Sequence, residues 1–332
     1  MALTKPLNKQ LAYLYGQVVH AAYQMYLKDP NNLTPDPIGI PEGYEVGAWI
    51  HMSDFVLNSS ELKFYGIVVR EIANPDSRII AIRGTEGRIE WLDDMFAMPV
   101  RFRQVPSAGR VAYGFDKIYS TLKVVKRRLP SEAGASAEDL EQPSGGSFVE
   151  QLEQLAISRE KERNVRPAAD GTRPHRPTVI AGHSLGAALS TLFVLENHDK
   201  RKFDVGTSCT FASPRVGTLD FVNLFNKLPI VSWRIFNKHD IVPKLPPHIP
   251  VVLDYEHVDA QYEFDSSSFT QHNLVCWHVI ETYLHWLDST VPLRQGCTLP
   301  RSPDELPKRS SREVTLCQKN ARAFLFKKAR AI

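Results

Sequence analysis

The segment that most constrains the fold of this 332-residue chain is TVIAGHSLGAALSTLF, at residues 178–193. It places Ser184 between Gly182 and Gly186, with an apolar strand-like run before it and a helix-like run of small residues after it. A serine on such a strand-to-helix turn needs glycine at both flanking positions, because larger side chains would collide with the neighbouring backbone. The start of the helix also favours a negative charge beside the serine. We therefore predict that Ser184 is a nucleophile.

The segments around this turn alternate between strand and helix patterns. Strand-like runs rich in Val, Ile, Phe and Tyr are found at 44–51, 62–72, 78–82, 178–181, 206–211 and 230–236. Helical patterns are found at 5–27, 113–129, 185–195, 218–227 and 278–288. This alternation, together with the serine turn, predicts an α/β-hydrolase fold, with a mostly parallel central sheet and helices on both faces.

Residues 130–177 differ in composition from the segments on either side. They are rich in Pro, Gly, Ser, Ala and charged residues, with a charged helix-like piece, FVEQLEQLAISREKERN, in the middle. We expect a partly disordered surface insertion there, within one domain at 1–295. Residues 296–332 form a tail with nine Lys and Arg residues against three acidic residues. The tail suits either contact with an anionic membrane surface or a solvated segment without structure.

Composition and charge exclude several classes of protein. The formal net charge of +3 comes from nearly balanced acidic and basic residues, and indicates no nucleic-acid partner. The four cysteines have neither CxxC nor metal-like spacing and do not form a disulfide scaffold, and Cys209 is expected in the core. No apolar stretch approaches the roughly 18 residues that span a bilayer, and the N-terminus lacks a signal-peptide pattern. We expect a cytoplasmic protein, with peripheral membrane contact as an alternative.

A nucleophilic serine needs a base, and the base needs an acid that orients it. In the expected fold the chain order is serine, then acid, then histidine. Asp240 is the preferred acid because it follows the strand-like run VSWRIF, and functional side chains gather at the carboxyl ends of parallel strands. Asp254, Asp259 and Asp265 are the rival acids, although no strand leads cleanly into them.

The histidine has to be chosen among several candidates. Those that follow the acid are His248, His257, His272, His278 and His285. We expect His278 to be the base, because it lies just before or at the start of the helical pattern HVIETYLHWL, and a loop-to-helix position can lean toward the strand ends. His272 and His285 remain alternatives. A zinc site made by His278, Glu281 and His285 would lack the HExxH spacing, and we expect no metal.

A tetrahedral intermediate needs two donors for its oxyanion. The backbone N–H of Leu185, the residue after the serine, supplies one in this kind of site. We expect the second from Thr85, because the strand-like run at 79–82 leads into Arg83, Gly84 and Thr85. The glycine allows close approach, and the threonine offers both an N–H and a hydroxyl.

The segment after this loop, GRIEWLDDMFAMPVRF at 87–102, carries an apolar surface. Its members are Ile89, Trp91, Leu92, Met95, Phe96 and Met98. The pattern predicts either a mobile apolar lid that opens on a lipid surface or ordinary core packing.

Several motifs in order along residues 45–290 resemble those of the class 3 lipases, the family of filamentous-fungal triacylglycerol lipases and related plant acyl hydrolases. They are AIRGT at 81–85, EWLDD at 90–94, VAYGF at 111–115, AGHSLGAAL at 181–189, TFASPRVG at 210–217, NKHDIVPKLP at 237–246 and HVIETYLH at 278–285. Departures from the family pattern include Ile82 in place of Phe and Ala212 in place of Gly. The last two motifs support Asp240 and His278.

The resemblance implies hydrolysis of carboxylic esters by Ser184, Asp240 and His278, with an oxyanion hole at Thr85 and Leu185. The expected substrate is an acylglycerol or a similar lipid ester, met in transient contact with a membrane or lipid-droplet surface, and no cofactor is expected. The alternatives are a phospholipase A1, an acyltransferase that uses an alcohol instead of water, and a lipase-like signalling or scaffold protein without catalysis.

Overall fold

A computed structural model of the chain describes residues 6–53, 61–85, 98–127, 143, 145–163, 165, 172, 174–248 and 254–299. Residues 87–97 of the apolar segment predicted at 87–102, as a lid or as core packing, lie outside the described residues. So do residues 130–142 and most of 164–173 of the predicted insertion, and the basic tail from residue 300 onward.

Most strands belong to one mixed sheet. In chain order its eight strands within the described residues are β1 (Tyr44–Ser53), β2 (Leu62–Glu71), β3 (Arg78–Ile82), β6 (Lys123–Lys126), β7 (Pro177–His183), β8 (Asp204–Phe211), β10 (Val231–Asn237) and β12 (Gln261–Phe264). The spatial order is β12-β10-β8-β7-β3-β2-β1-β6. The five strands from β12 to β3 are parallel, and the remaining pairs are antiparallel. The predicted, mostly parallel sheet is therefore confirmed.

A smaller antiparallel sheet is formed by four short strands. They are β4 (Pro99–Arg101), β5 (Arg110–Ala112), β9 (Gly217–Thr218) and β11 (Tyr255–Glu256).

Helices cover both faces of the main sheet, as predicted. In chain order they are α1 (Lys9–Lys28), α2 (Tyr113–Tyr119), α3 (Phe148–Glu162), α4 (Leu185–Lys200), α5 (Leu219–Phe225), α6 (Leu274–His278) and α7 (Ile280–Leu287). One core cluster packs helices α2, α3, α4 and α5 against one face of the main sheet. A second cluster packs α1 and α7 against the other face. Helix α1 buries Val18, Ala21 and Met25, because this apolar face packs directly on the sheet. Leu11 of the same helix is 40% exposed.

The single helix predicted at 113–129 is wrong in its second half. Helix α2 ends at Tyr119, and residues Lys123–Lys126 form β6 at the edge of the sheet. Val124 and Val125 are buried there, and the strand pairs with β1. Valine stiffens the backbone in an extended form, and pairing with an available sheet edge outweighs the helical spacing.

The prediction of a surface insertion at 130–177 is wrong for residues 148–162. Helix α3 buries Phe148, Val149 and Leu152 in the same core cluster as α4. Its start carries a capping box, in which Ser147 and Glu150 each accept a hydrogen bond from the other's backbone N–H. The charged residues of this segment dominated its composition, whereas its apolar stripe decides where the helix packs.

The cysteines take two different roles. Cys209 is buried and free, as predicted for a core residue. Cys276 and Cys297 form a disulfide, which spacing in the sequence did not reveal. Among the described helices, none is both long and apolar enough to cross a bilayer.

Candidate active site

Three of the predicted site residues follow strands that end at the same edge of the sheet. Ser184 comes directly after β7, Thr85 three residues after β3, and Asp240 three residues after β10. These strands run parallel, so their carboxyl ends lie together. The topology thus brings residues from distant parts of the sequence to one place.

Ser184 occupies a strained turn between β7 and α4. Its φ of 57° and ψ of −123° lie in a region that residues with a Cβ rarely adopt. A Cβ at Gly182 would lie 2.3 Å from the carbonyl oxygen of Gly186, and one at Gly186 would lie 2.1 Å from that of Ile82. The two glycines are therefore required for α4 to leave the sheet at this angle, as the sequence predicted.

We expect Gly186→Ala to destabilise the protein by about 1–3 kcal/mol, because the new methyl group must displace α4 from the backbone at the end of β3. Unfolding in urea measures the change. The matched control is Gly206→Ala in β8, where an added Cβ meets no atom within 4 Å; we expect a change within about 0.5 kcal/mol there. Equal effects of the two substitutions would contradict the steric explanation.

Ser184, His278 and Asp240 form one hydrogen-bonded line. The hydroxyl oxygen Oγ of Ser184 lies 2.9 Å from Nε2 of His278. Nδ1 of the same histidine lies 2.8 Å from Oδ2 of Asp240. A carboxylate can only accept at this distance, so Nδ1 carries the proton and Nε2 is left to accept from the serine hydroxyl. This is the arrangement of a nucleophile, a general base and an orienting acid.

Asp240 is fully enclosed by donors. Its side chain has no exposed surface, and Oδ1 accepts from the backbone N–H of Val242 at 2.9 Å. Oδ2 also accepts from the hydroxyl of Tyr283 at 2.6 Å. Burial, reinforced by the charge of Asp240, raises the pKa of Tyr283 well above its usual value. Tyr283 therefore stays protonated at neutral pH and donates to the acid.

His278 is held by contacts to the residues just before it. Asn237, the last residue of β10, donates through Nδ2 to the carbonyl oxygen of Trp277 at 2.9 Å. The disulfide from Cys276 to Cys297 fixes the same short helix, α6, to the segment that follows α7. His278 is thereby positioned from two sides. It ends α6 and lies just before α7, which begins at Ile280, as predicted, although the helix predicted at 278–288 starts two residues later.

The rival histidines make other contacts. Nε2 of His272 lies 3.0 Å from the carbonyl oxygen of Ser267, and Nδ1 of His285 lies 2.7 Å from that of Val291. Nε2 of His257 lies 2.7 Å from the carbonyl oxygen of Pro243, and burial lowers the pKa of this histidine to about 3. The structure therefore brings His278, and none of these three, to Ser184.

The rival acids are also engaged away from the serine. Asp265 lies 2.9 Å from Nε2 of His239, and Asp259 contacts the side chain of Asn226 at 3.1 Å. Asp254 lies 3.8 Å from Nδ1 of His248.

One group of side chains within the described residues has the spacing of metal ligands. It consists of His248, Asp254 and Glu256, and His248 lies 3.1 Å from Glu256. Ordinary ion pairing accounts for this contact, and the group shares no residue with the triad. Glu281, considered above for a zinc site, lies instead 3.7 Å from His20 and 3.6 Å from Arg294.

The loop after β3 packs against the serine. A Cβ at Gly84 would lie only 2.8 Å from the Cβ of Ser184, so no other residue fits there without movement. Thr85 follows directly and is half-buried. Leu185 opens α4, where the first N–H groups of a helix have no partner within the helix. Gly84, the neighbour of Thr85, thus packs on Ser184, and Leu185 follows the serine directly, while the oxyanion hole at Thr85 and Leu185 stays a prediction.

Arg83, just before this loop, holds it in place. Its guanidinium group is buried and donates twice to the carbonyl oxygen of Phe64, at 3.1 and 2.6 Å, and once to that of Gly84 at 2.6 Å. It also lies over the rings of Tyr26 and Tyr65, at 3.6 and 4.2 Å from their centres. The arginine of RGT was visible in the sequence, but its role was missed because its partners lie in other segments.

The fold and the site define the chain as an α/β-hydrolase with a serine, histidine and aspartate in hydrogen-bonded order. The family model described as Lipase (class 3) matches residues 79–249, just over half of the chain. The chain belongs to this family, and the match spans the strands that carry Thr85, Ser184 and Asp240.

Curated relatives of the chain include plant and fungal enzymes. Phospholipase A1-II 4 of Oryza sativa subsp. japonica is 28% identical over 262 residues, which cover 74% of this chain and 57% of the rice protein. Secreted mono- and diacylglycerol lipase 1 of Fusarium solani is 32% identical over 122 residues, covering 36% of this chain and 33% of the fungal protein. The chain thus spans less than two thirds of each relative.

Solved structures with the same fold include fungal lipases. Lip2 lipase from Yarrowia lipolytica covers 80% of this chain and 81% of its own, with a TM-score of 0.53 and 17% identity. A triacylglycerol lipase whose catalytic centre is described as a serine protease triad covers 80% and 83%, with a TM-score of 0.54 and 19% identity. These similarities confirm the fold.

Proposed function

We propose that the protein is a serine carboxylic-ester hydrolase that cleaves acylglycerols or similar lipid esters through an acyl-enzyme. The observation that carries this proposal is the unbroken hydrogen-bonded line from Ser184 through His278 to Asp240. Ser184 lies on a strained turn, beside the loop at residues 83–85, which we call the oxyanion loop. Membership of the class 3 lipase family supports the same reaction.

The reaction follows from the geometry. Oγ of Ser184 attacks the ester carbonyl carbon while Nε2 of His278 takes its proton, and Asp240 stabilises the charged imidazole. The N–H of Leu185 and the donors of Thr85 bind the oxyanion. The intermediate then expels the alcohol, which takes the proton from His278. His278 then deprotonates a water molecule, which attacks the acyl-serine and forms a second tetrahedral intermediate. Collapse of this intermediate releases the fatty acid, and His278 returns the proton to Ser184.

Three observations support a lipid as the acyl donor. The relatives that match most of this chain are named phospholipases A1, and a shorter match is named a mono- and diacylglycerol lipase. Leu274 and Val275, on the helix that ends at His278, are 38% and 56% exposed. Exposed apolar side chains beside a site suit transient contact with a membrane or lipid-droplet surface.

A phospholipase A1 is the second candidate function, favoured by the names of three relatives that match over 262, 269 and 345 residues. It uses the same residues and differs only in the head group of the substrate. An acyltransferase would replace the attacking water by an alcohol. A signalling or scaffold protein without catalysis is opposed by the geometry, since each of the three triad residues is present and in contact.

A fluorophosphonate probe tests the proposal on the intact chain. We expect a single covalent adduct, which mass spectrometry of the digested protein locates on Ser184, and no adduct on heat-unfolded protein. Parallel assays of turnover separate the three activities. An esterase prefers p-nitrophenyl butyrate, and a lipase prefers p-nitrophenyl palmitate and emulsified diacylglycerol. A phospholipase A1 releases the labelled sn-1 chain from phosphatidylcholine vesicles. Absence of both labelling and turnover, also on emulsions, would favour the scaffold function.

The location of the protein stays a prediction. The disulfide between Cys276 and Cys297 is typical of oxidising compartments, which differs from the cytoplasmic location expected above.

A further inference from the structure

A buried tyrosine on the N-terminal helix connects separate parts of the active site. The hydroxyl of Tyr23, on α1, lies 2.7 Å from the backbone N of Gly84 and 2.8 Å from Nδ1 of His183. Nε2 of His183 in turn lies 2.7 Å from the backbone carbonyl oxygen of His278. A continuous chain of three hydrogen bonds thus runs from the loop that carries Thr85 to the main chain of the triad histidine.

The chemistry of these groups fixes the direction of each bond. The N–H of Gly84 can only donate, so the oxygen of Tyr23 accepts that bond, and the Tyr23 O–H donates to Nδ1 of a neutral His183. The carbonyl group of His278 can only accept, so Nε2 of His183 carries the proton. A neutral His183 therefore has its proton on Nε2 and accepts at Nδ1.

Burial keeps His183 in this form. It is 2% exposed, and burial, with the nearby charge of His278 as the next cause, lowers its pKa well below the usual value. Tyr23 is 6% exposed. In such surroundings water is not available to replace a lost partner, so each hydrogen bond depends on the next.

We propose that Tyr23 and His183 are positioning residues that hold the oxyanion loop and the triad histidine in register around Ser184. This inference rests on the proposed hydrolysis at Ser184. Neither side chain touches the reacting atoms: Tyr23 acts through Gly84 on Thr85, and His183, adjacent to the nucleophile, acts through the carbonyl group of His278. Helix α1 is then part of the catalytic apparatus as well as of the core.

Removal of the Tyr23 hydroxyl leaves the buried N–H of Gly84 and the Nδ1 of His183 without their partner. A displacement of the loop by a fraction of an ångström weakens oxyanion stabilisation more than it weakens substrate binding. We therefore expect Tyr23→Phe to lower kcat for p-nitrophenyl butyrate about 10- to 100-fold, with KM changed less than about threefold. Active sites are counted by fluorophosphonate labelling, so that unfolded molecules do not enter kcat.

Two further variants separate positioning from general stability. If Tyr23 acts through the oxyanion loop, its substitution should cost less in a Thr85→Ala background than in the wild type, since neighbouring groups in one network are not additive. His183→Gln, which keeps an N–H near the carbonyl group of His278, should retain more activity than His183→Ala.

The matched control is Tyr15→Phe, on the same buried face of α1, where the ring stacks on Trp233. Its kcat should stay within about twofold of the wild type. The inference is overturned if Tyr23→Phe lowers only the unfolding temperature while kcat per labelled site matches the wild type, or if its effect adds fully to that of Thr85→Ala. A wild type that is neither labelled nor active contradicts the proposed function instead.

Discussion

Ser184→Ala is expected to lower kcat for a soluble ester by about 10⁴- to 10⁶-fold, while the protein stays folded. The substitution removes the nucleophile and its hydrogen bond to Nε2 of His278. The Ser184 side chain makes no capping hydrogen bond to α4, so the start of the helix loses no partner. The residual rate comes from the oxyanion donors, which remain. Steady-state kinetics with p-nitrophenyl butyrate, together with thermal unfolding by circular dichroism, measure both effects.

The control for this substitution is Ser208→Ala, which removes the hydroxyl of another buried serine, in β8 of the same sheet. We expect its kcat to stay within a few-fold of the wild type. Equal activity of Ser184→Ala and the wild type, on preparations free of contaminating esterase, would show that the reaction does not use this serine.

Asp240→Asn is expected to lower kcat by about 10⁴-fold with little change in KM. The carboxylate accepts from three donors, on Val242, Tyr283 and His278. An amide group replaces one accepting oxygen by a donating NH₂, so one of these contacts becomes a repulsion between donors. If the NH₂ group faces Nδ1, the proton of His278 moves to Nε2, and the imidazole can no longer take a proton from Ser184.

Asp265→Asn provides the matched control for Asp240→Asn. Asp265 follows β12, is 44% exposed and contacts His239, so its charge is not aimed at Ser184. We expect kcat within about twofold of the wild type, because exposed ion pairs contribute little. Full activity of Asp240→Asn, combined with a large loss in Asp265→Asn, would reassign the triad acid.

The sequence was most informative at the serine turn. Glycines at 182 and 186 on either side of Ser184, between an apolar run and a run of small residues, are required by steric exclusion over a few residues, so their meaning does not depend on the rest of the fold. Asp240 could be predicted because a strand ends three residues before it, and carboxyl ends of parallel strands meet at one edge. Selection of His278 needed the family motif as well, since the loop after β12 gives no regular pattern.

The prediction for residues 113–129 was wrong because local spacing was the only evidence. Val124 and Val125 fit either a helix or a strand, and the edge of β1 decides for the strand. For residues 148–162 the composition was misleading, because a helix with a charged outer face and a narrow apolar stripe still packs on a core. The capping box of Ser147 and Glu150 was the signal in the sequence that indicated an ordered helix.

By itself the sequence determined the fold class, the nucleophile turn and the order of serine, acid and histidine, because each depends on short-range steric or periodic rules. Only the tertiary structure decided which distant side chains support them: Tyr23 from α1 beneath the oxyanion loop, Tyr283 from α7 on the acid, and Asn237 behind the triad histidine. These contacts join residues 40 to 61 positions apart. No local pattern encodes such partners, since a buried donor is matched to its acceptor only when the chain has packed.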